Sequence, residues 1–163
     1  MRAPYDFGDT WQPIVNARDD KLAASKLWIE PVATRRCLAP ADTFYEWVGP
    51  KGAKYETRLR RPDGAPFFFA GVWSPDKQAG GGRGFAIVTT TPNAFIGAIP
   101  HDRMPAMLDE AGAAAWLGDE PIGVKPLIRP FAGELVREDL PPPERKKKIT
   151  KKDVQSGELG LET

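Results

Sequence analysis

The chain has 163 residues, 41% of them hydrophobic and 28% charged, which is enough for one domain with a real core and too short for two ordinary ones. No apolar stretch approaches the length a bilayer-spanning helix needs, and Asp6, Asp9, Asp19 and Asp20 break up residues 1–20, which argues against a secretory signal and makes the cytoplasm the expected compartment. A net charge of +1 announces no bulk attraction to nucleic acid, and one cysteine beside one histidine builds neither a disulfide nor a Cys/His zinc site, so neither metal nor cofactor is expected.

Residues 1–18 mix Pro, Gly and Asp with aromatic residues and read as loop, with a short apolar piece, PIV, delivering Asn16 and Arg18. In DDKLAASKLWIE (19–30) Leu22, Lys26, Leu27 and Trp28 recur near helical spacing behind an Asp pair able to cap, which predicts one short helix. RRCLAPADTFYEWV (35–48) carries two apolar runs separated by Pro40 and Asp42, and the alternation in TFYEWV predicts a strand with Glu46 set between Tyr45 and Trp47. KYETRLRRPDGAPFFFAGVWS (54–74) reads as a β-hairpin turning at Pro62–Gly64. After the Gly-rich QAGGGRG, the run FAIVTTT (85–91) predicts a buried strand, and His101 follows PNAFIGAIP, where the chain leaves the sheet. MLDEAGAAAWLGDE (107–120) has the acidic start and glycine stop of a second helix. The three prolines and lysine cluster after Leu140 predict a basic, extended or disordered tail over 141–163, leaving 1–140 as the domain.

Taken residue by residue, the candidates have ordinary readings: a lone histidine is most often a hydrogen-bonded structural group, a glutamate in an alternating strand most often faces solvent, and Asn16 and Arg18 suit a turn and a surface. Together, and in this order, NAR (16–18), RRCLAPADTFYEW (35–47) and HDRMP (101–105) resemble the SOS-response-associated peptidase (SRAP) family of abasic-site processing proteins. FAGVW (69–73) and FAIVTTT look like that family's intervening strands, so the similarity runs from about Trp11 to Phe131. The resemblance implies an α+β fold built on a curved, barrel-like antiparallel sheet with a few short helices, incomplete at its N-terminus.

It also implies a substrate, single-stranded DNA bearing an abasic site, acted on in the DNA damage (SOS) response. In that chemistry an N-terminal cysteine captures the ring-opened aldehyde, its amine forming a Schiff base and its thiol closing a thiazolidine. By position in the motifs, Asn16 looks like the residue that orients the reacting group, Glu46 like the acid/base at the imine, and His101 like the proton-transfer residue near the sugar. Arg18 and Arg103 look like phosphate contacts, and Trp11 is placed to stack on a base. A carboxyl with its pKa raised by aromatic neighbours such as Tyr45 and Trp47 suits that proton shuttling.

Family members begin Met-Cys-Gly-Arg, whereas this chain begins MRAPYDF, so the resemblance implies a member without the nucleophile and without the stable crosslink. Cys37 has no free α-amine and reads as a small buried hydrophobe. The rival expectations are a non-catalytic single-stranded DNA-binding module, using Arg18, Arg103 and the lysine-rich tail, or an inactive fragment.

Overall fold

The computed structural model describes residues 14–76, 82–99, 101–118 and 124–141. Trp11 and the tail beyond Pro141 lie outside the described residues. The architecture is α+β: two curved, open sheets, with short helices on the outer face of the larger one and one more against the interior between the sheets. Among the described residues neither sheet closes into a barrel.

The larger sheet has the order β1-β6-β5-β2. Its strands are β1 (Asn16–Arg18), β2 (Arg36–Ala41), β5 (Phe67–Asp76) and β6 (Gly82–Thr90), and β1 runs parallel to β6 while the others are antiparallel. The smaller sheet has the order β3-β4-β9, from β3 (Thr43–Val48), β4 (Tyr55–Arg60) and β9 (Val136–Asp139). The hairpin expected around Pro62–Gly64 does not form. The turn chemistry is there, with Gly64 at φ +69°, but β4 pairs with β3 and β9 while β5 pairs in the other sheet. β4 is instead the second arm of a β3–β4 hairpin, whose tight link needs Gly49 at φ +101°, where a Cβ would lie 2.9 Å from the Ala53 carbonyl oxygen.

The predicted helix over 19–30 is two pieces, α1 (Asp19–Leu22) and α2 (Lys26–Thr34), because Ser25 takes an extended conformation and accepts a hydrogen bond from the Leu27 amide as a new N-cap. α3 (Ala94–Gly97) starts at Asn93, α4 (Glu110–Leu117) at Asp109, each side chain capping the amide three residues on, and α5 covers Val124–Leu127. Gly118 ends α4 as the sequence predicts.

Two apolar layers follow from strand alternation. Ala17, Ala70, Val72, Ala86 and Val88 point to one face of the large sheet and pack with Leu22, Trp28, Val32 and Trp116 of α1, α2 and α4. Phe67, Phe69 and Ile87 point to the other face and meet Phe44, Val48 and Leu59 of the small sheet. Trp116 is fully buried, and its indole N–H is shared between the carbonyls of Cys37 and Gly71, which pins α4 to the β2–β5 ladder.

The site depends most on a splay between β5 and β6. They pair directly only from Gly71 and Ile87 outward. Beyond that point β7 (Met104–Pro105) pairs with β6 and β8 (Met107–Leu108) with β5, with Ala106 between them: its N–H donates to the Val88 carbonyl and its own carbonyl accepts from the Ala70 amide. Ala106 is 1% exposed, so a small residue is needed at this apex. His101 therefore sits between α3 and β7, where the chain re-enters the sheet; the sequence reading had it leaving β6.

Candidate active site

Alternation sets Glu46 inward. Phe44 and Val48 are buried between the sheets, and Glu46, between them at period 2, points the same way, opposite fully buried Thr57 on β4. Tyr45 and Trp47 point away and are 50% and 45% exposed, so the desolvation of Glu46 comes from the inter-sheet interior and not from its aromatic sequence neighbours. That burial raises its carboxyl above the ordinary glutamate range, partly opposed by the charge of His101.

His101 reaches Glu46 across 3.4 Å, from Nδ1 to Oε2, with both side chains 23% exposed. Its Nε2 lies 2.9 Å from the backbone carbonyl of Trp47, on β3, an edge strand of the small sheet with carbonyls to spare. A carbonyl only accepts, so Nε2 carries hydrogen and donates to it; in the neutral ring Nδ1 is then a lone pair facing the carboxyl. When one proton is shared across this contact it sits on the imidazole or on the carboxyl, an arrangement from which it can pass to a third group.

Asn16 and Arg18 flank buried Ala17 on β1, so both side chains leave on the opposite face, beside Ile87 and Thr89, the face that the small sheet and Glu46 approach. Both are exposed. Arg18 pairs with Asp20 at 3.0 Å on the surface, and Asp20 foremost, then Asp102 and Asp19, keep its guanidinium protonated. Arg103 is turned inward: one amino group, Nη2, contacts Asp19 at 2.5 Å and donates to the Thr89 carbonyl, and its side chain is 18% exposed. Burial pushes the Asp19 carboxyl up, but hydrogen bonds from Arg103 and Thr90 outweigh it and hold the group below the usual carboxylate range.

The structure thus brings Glu46 and His101 into one couple, and sets Arg18 and Asp19, at the end of β1, near Asp102 and Arg103 from a distant segment of the chain. Sequence reading missed Asp19, treated only as a helix cap; its adjacency to Arg18 was visible, but its partner is 84 residues away. Cys37 is half-buried on β2, its thiol raised by burial, with Gly71 beside it. Among the described residues no group of His, Cys, Asp and Glu could hold a metal ion, and no helix is long and apolar enough to cross a membrane.

The α+β fold thus carries a half-buried Glu46–His101 pair and, at the end of β1, the Arg18 and Arg103 ion pairs. The chain matches the family described as SOS response associated peptidase (SRAP) over residues 5–139. It is 32% identical over 125 residues to the abasic site processing protein YoqW of Bacillus subtilis, covering 72% of this chain and 55% of that one. It is also 31% identical over 109 residues to the abasic site processing protein YedK of Escherichia coli, covering 66% and 49%. A crystal structure of a protein from Bacteroides thetaiotaomicron superposes with a TM-score of 0.68 at 26% identity, over 77% of this chain and 58% of the other.

The chain belongs to the SRAP family. It spans about half the length of the curated relatives it matches.

Proposed function

We propose that this protein processes abasic sites in single-stranded DNA, with Glu46 and His101 as the proton-transfer couple. The observation that carries this reading is the arrangement of that couple: a half-buried carboxyl raised by desolvation, facing an imidazole whose tautomer is fixed by the Trp47 carbonyl.

The reaction suited to it is condensation of a protein amine with the C1′ aldehyde of the ring-opened sugar. A C–N bond forms, water leaves, and the imine results. One proton must reach the departing hydroxyl and one must leave the nitrogen. Glu46, whose protonated form burial favours, gives the first; His101 takes up the second, and the couple passes it back to the carboxylate. Asn16 orients the reacting group from β1, Arg18 and Arg103 contact flanking phosphates, and Trp11 stacks on a base. The names of the relatives, abasic site processing proteins, support the substrate class.

The test is to incubate the protein with a single strand carrying one abasic site, with and without borohydride, and resolve adducts and cleaved strand on denaturing gels. A borohydride-dependent adduct with strand cleavage is expected, and both should fall in Glu46→Gln and His101→Gln. Unchanged rates in both variants would overturn the assignment. An adduct that persists without borohydride would mean ring closure by an adjacent thiol. Binding with no adduct or cleavage would leave a DNA-binding module.

A further inference from the structure

We propose that Asp19 is a positioning residue for Arg103, an internal counter-ion that fixes the guanidinium and limits what it offers a DNA phosphate to a single amino group. The proposal rests on the functional reading above, which gives the site a phosphodiester ligand.

The hydrogen-bond accounting is specific. The two hydrogens of Arg103 Nη2 go to Asp19 Oδ1 and the Thr89 carbonyl. Nε is buried and, among the described residues, has no acceptor. Nη1 is what remains for an incoming anion. Asp19 does not depend on Arg103 for its place: Oδ2 accepts from the Thr90 hydroxyl at 2.8 Å and Oδ1 from the Asp20 amide at 2.8 Å. A phosphate arriving at Nη1 therefore meets an arginine whose counter-ion stays bound.

Arg18 is the contrasting case in the same site. Its partner Asp20 is 47% exposed and the arginine 52%, so a phosphate can replace that carboxylate in water. Of the two arginines, one exchanges its counter-ion for the backbone and the other keeps it. Arg103 stands two residues from His101, and a fixed guanidinium there selects where a phosphate oxygen lies relative to the acid/base couple, while adding little net positive charge.

That distinction is measurable as salt dependence. Each cation that neutralises a phosphate on a single strand steepens the slope of log affinity against log salt by about 0.7, and a cation already neutralised by a bound carboxylate does not. Binding of a fluorescein-labelled oligothymidylate is measured by anisotropy across a salt series for the unmodified protein, Asp19→Asn, Arg103→Gln and the double variant, with thermal melts to establish folding. Arg103→Gln alone should barely change the slope. Asp19→Asn should steepen it by about 0.7 and tighten binding severalfold at low salt, and adding Arg103→Gln should abolish that gain.

A slope unchanged in Asp19→Asn, or steepened equally when residue 103 is Gln, overturns the proposal. Asp19→Ser repeats the test if the Asn variant does not fold. Failure of the unmodified protein to bind counts against the functional reading; if Asp19→Asn then binds, the counter-ion role stands, and if neither binds, both fall.

Discussion

Asp19–Arg103 and Glu46–His101 are couples of similar exposure, each joined across more than fifty positions of sequence, yet the fold has treated them differently. The first is short and anchored on the acid side by Thr90 and the Asp20 amide. The second is 3.4 Å long, with the imidazole tied down at its far nitrogen and the carboxyl raised by burial. Saturating a charged group with hydrogen bonds fixes it in one state; the looser contact leaves the Glu46 carboxyl with fewer partners to hold it charged. The two couples differ in how completely their hydrogen bonds are made.

The most severe way to break the comparison is to remove the proton from the second couple. Glu46→Gln or His101→Gln should slow adduct formation by about 10²–10⁴, read on borohydride-trapping gels, while circular dichroism shows the fold intact.

Stability should respond to pH in opposite senses at the two carboxyls. Asp19 is held below its unfolded value, so its contribution is present above that value and lost as pH falls through the folded one. Asp19→Asn should cost about 2 kcal/mol at neutral pH, the scale of hydrogen bonds to a charged group, and less in acid. Glu46 is held above its unfolded value, so its contribution is present in acid and lost as pH rises through the folded one. The Tm of Glu46→Gln relative to the unmodified protein should therefore climb from acid to neutral pH.

Double-mutant cycles sharpen the contrast further. Asp19→Asn with Arg103→Gln should show a stability coupling of about 1 kcal/mol or more, and Glu46→Gln with His101→Gln about 0.5 kcal/mol or less. The smallest effect belongs to the surface pair: Asp20→Asn should leave the Tm unchanged within error, since Arg18 and Asp20 are solvated on both sides.

What the sequence disclosed follows the reach of the interactions. The Asp109 cap and Gly118 end of α4, and the inward period that places Glu46, are local and were readable. Ser25 was legible as a cap in principle, but the apolar spacing of Leu22 and Leu27 suggested one continuous helix. The Pro62–Gly64 turn was real as backbone and misleading as topology, because turn residues fix where a chain bends and not which strand it pairs with afterwards. The parallel β1–β6 pairing, the wedge at Ala106 and the Asp19–Arg103 couple have no local signature at all. His101 and Glu46 stand out as candidates only through the order of motifs, and the carbonyl that orients the imidazole belongs to a residue noticed only for its ring.

The wedge of residues 104–108 also orders events in time. Its two ladders have no partners until β5 and β6 have closed their own hairpin and parted beyond Gly71 and Ile87, and Ala106 can bond to both only in that fork. Closing those loops carries an entropic cost that local pairing does not, so the wedge belongs to the late part of assembly. His101 rides on its leading end. The Glu46–His101 pair is completed only in a molecule whose large sheet is already formed, so a nascent or partly opened chain lacks it.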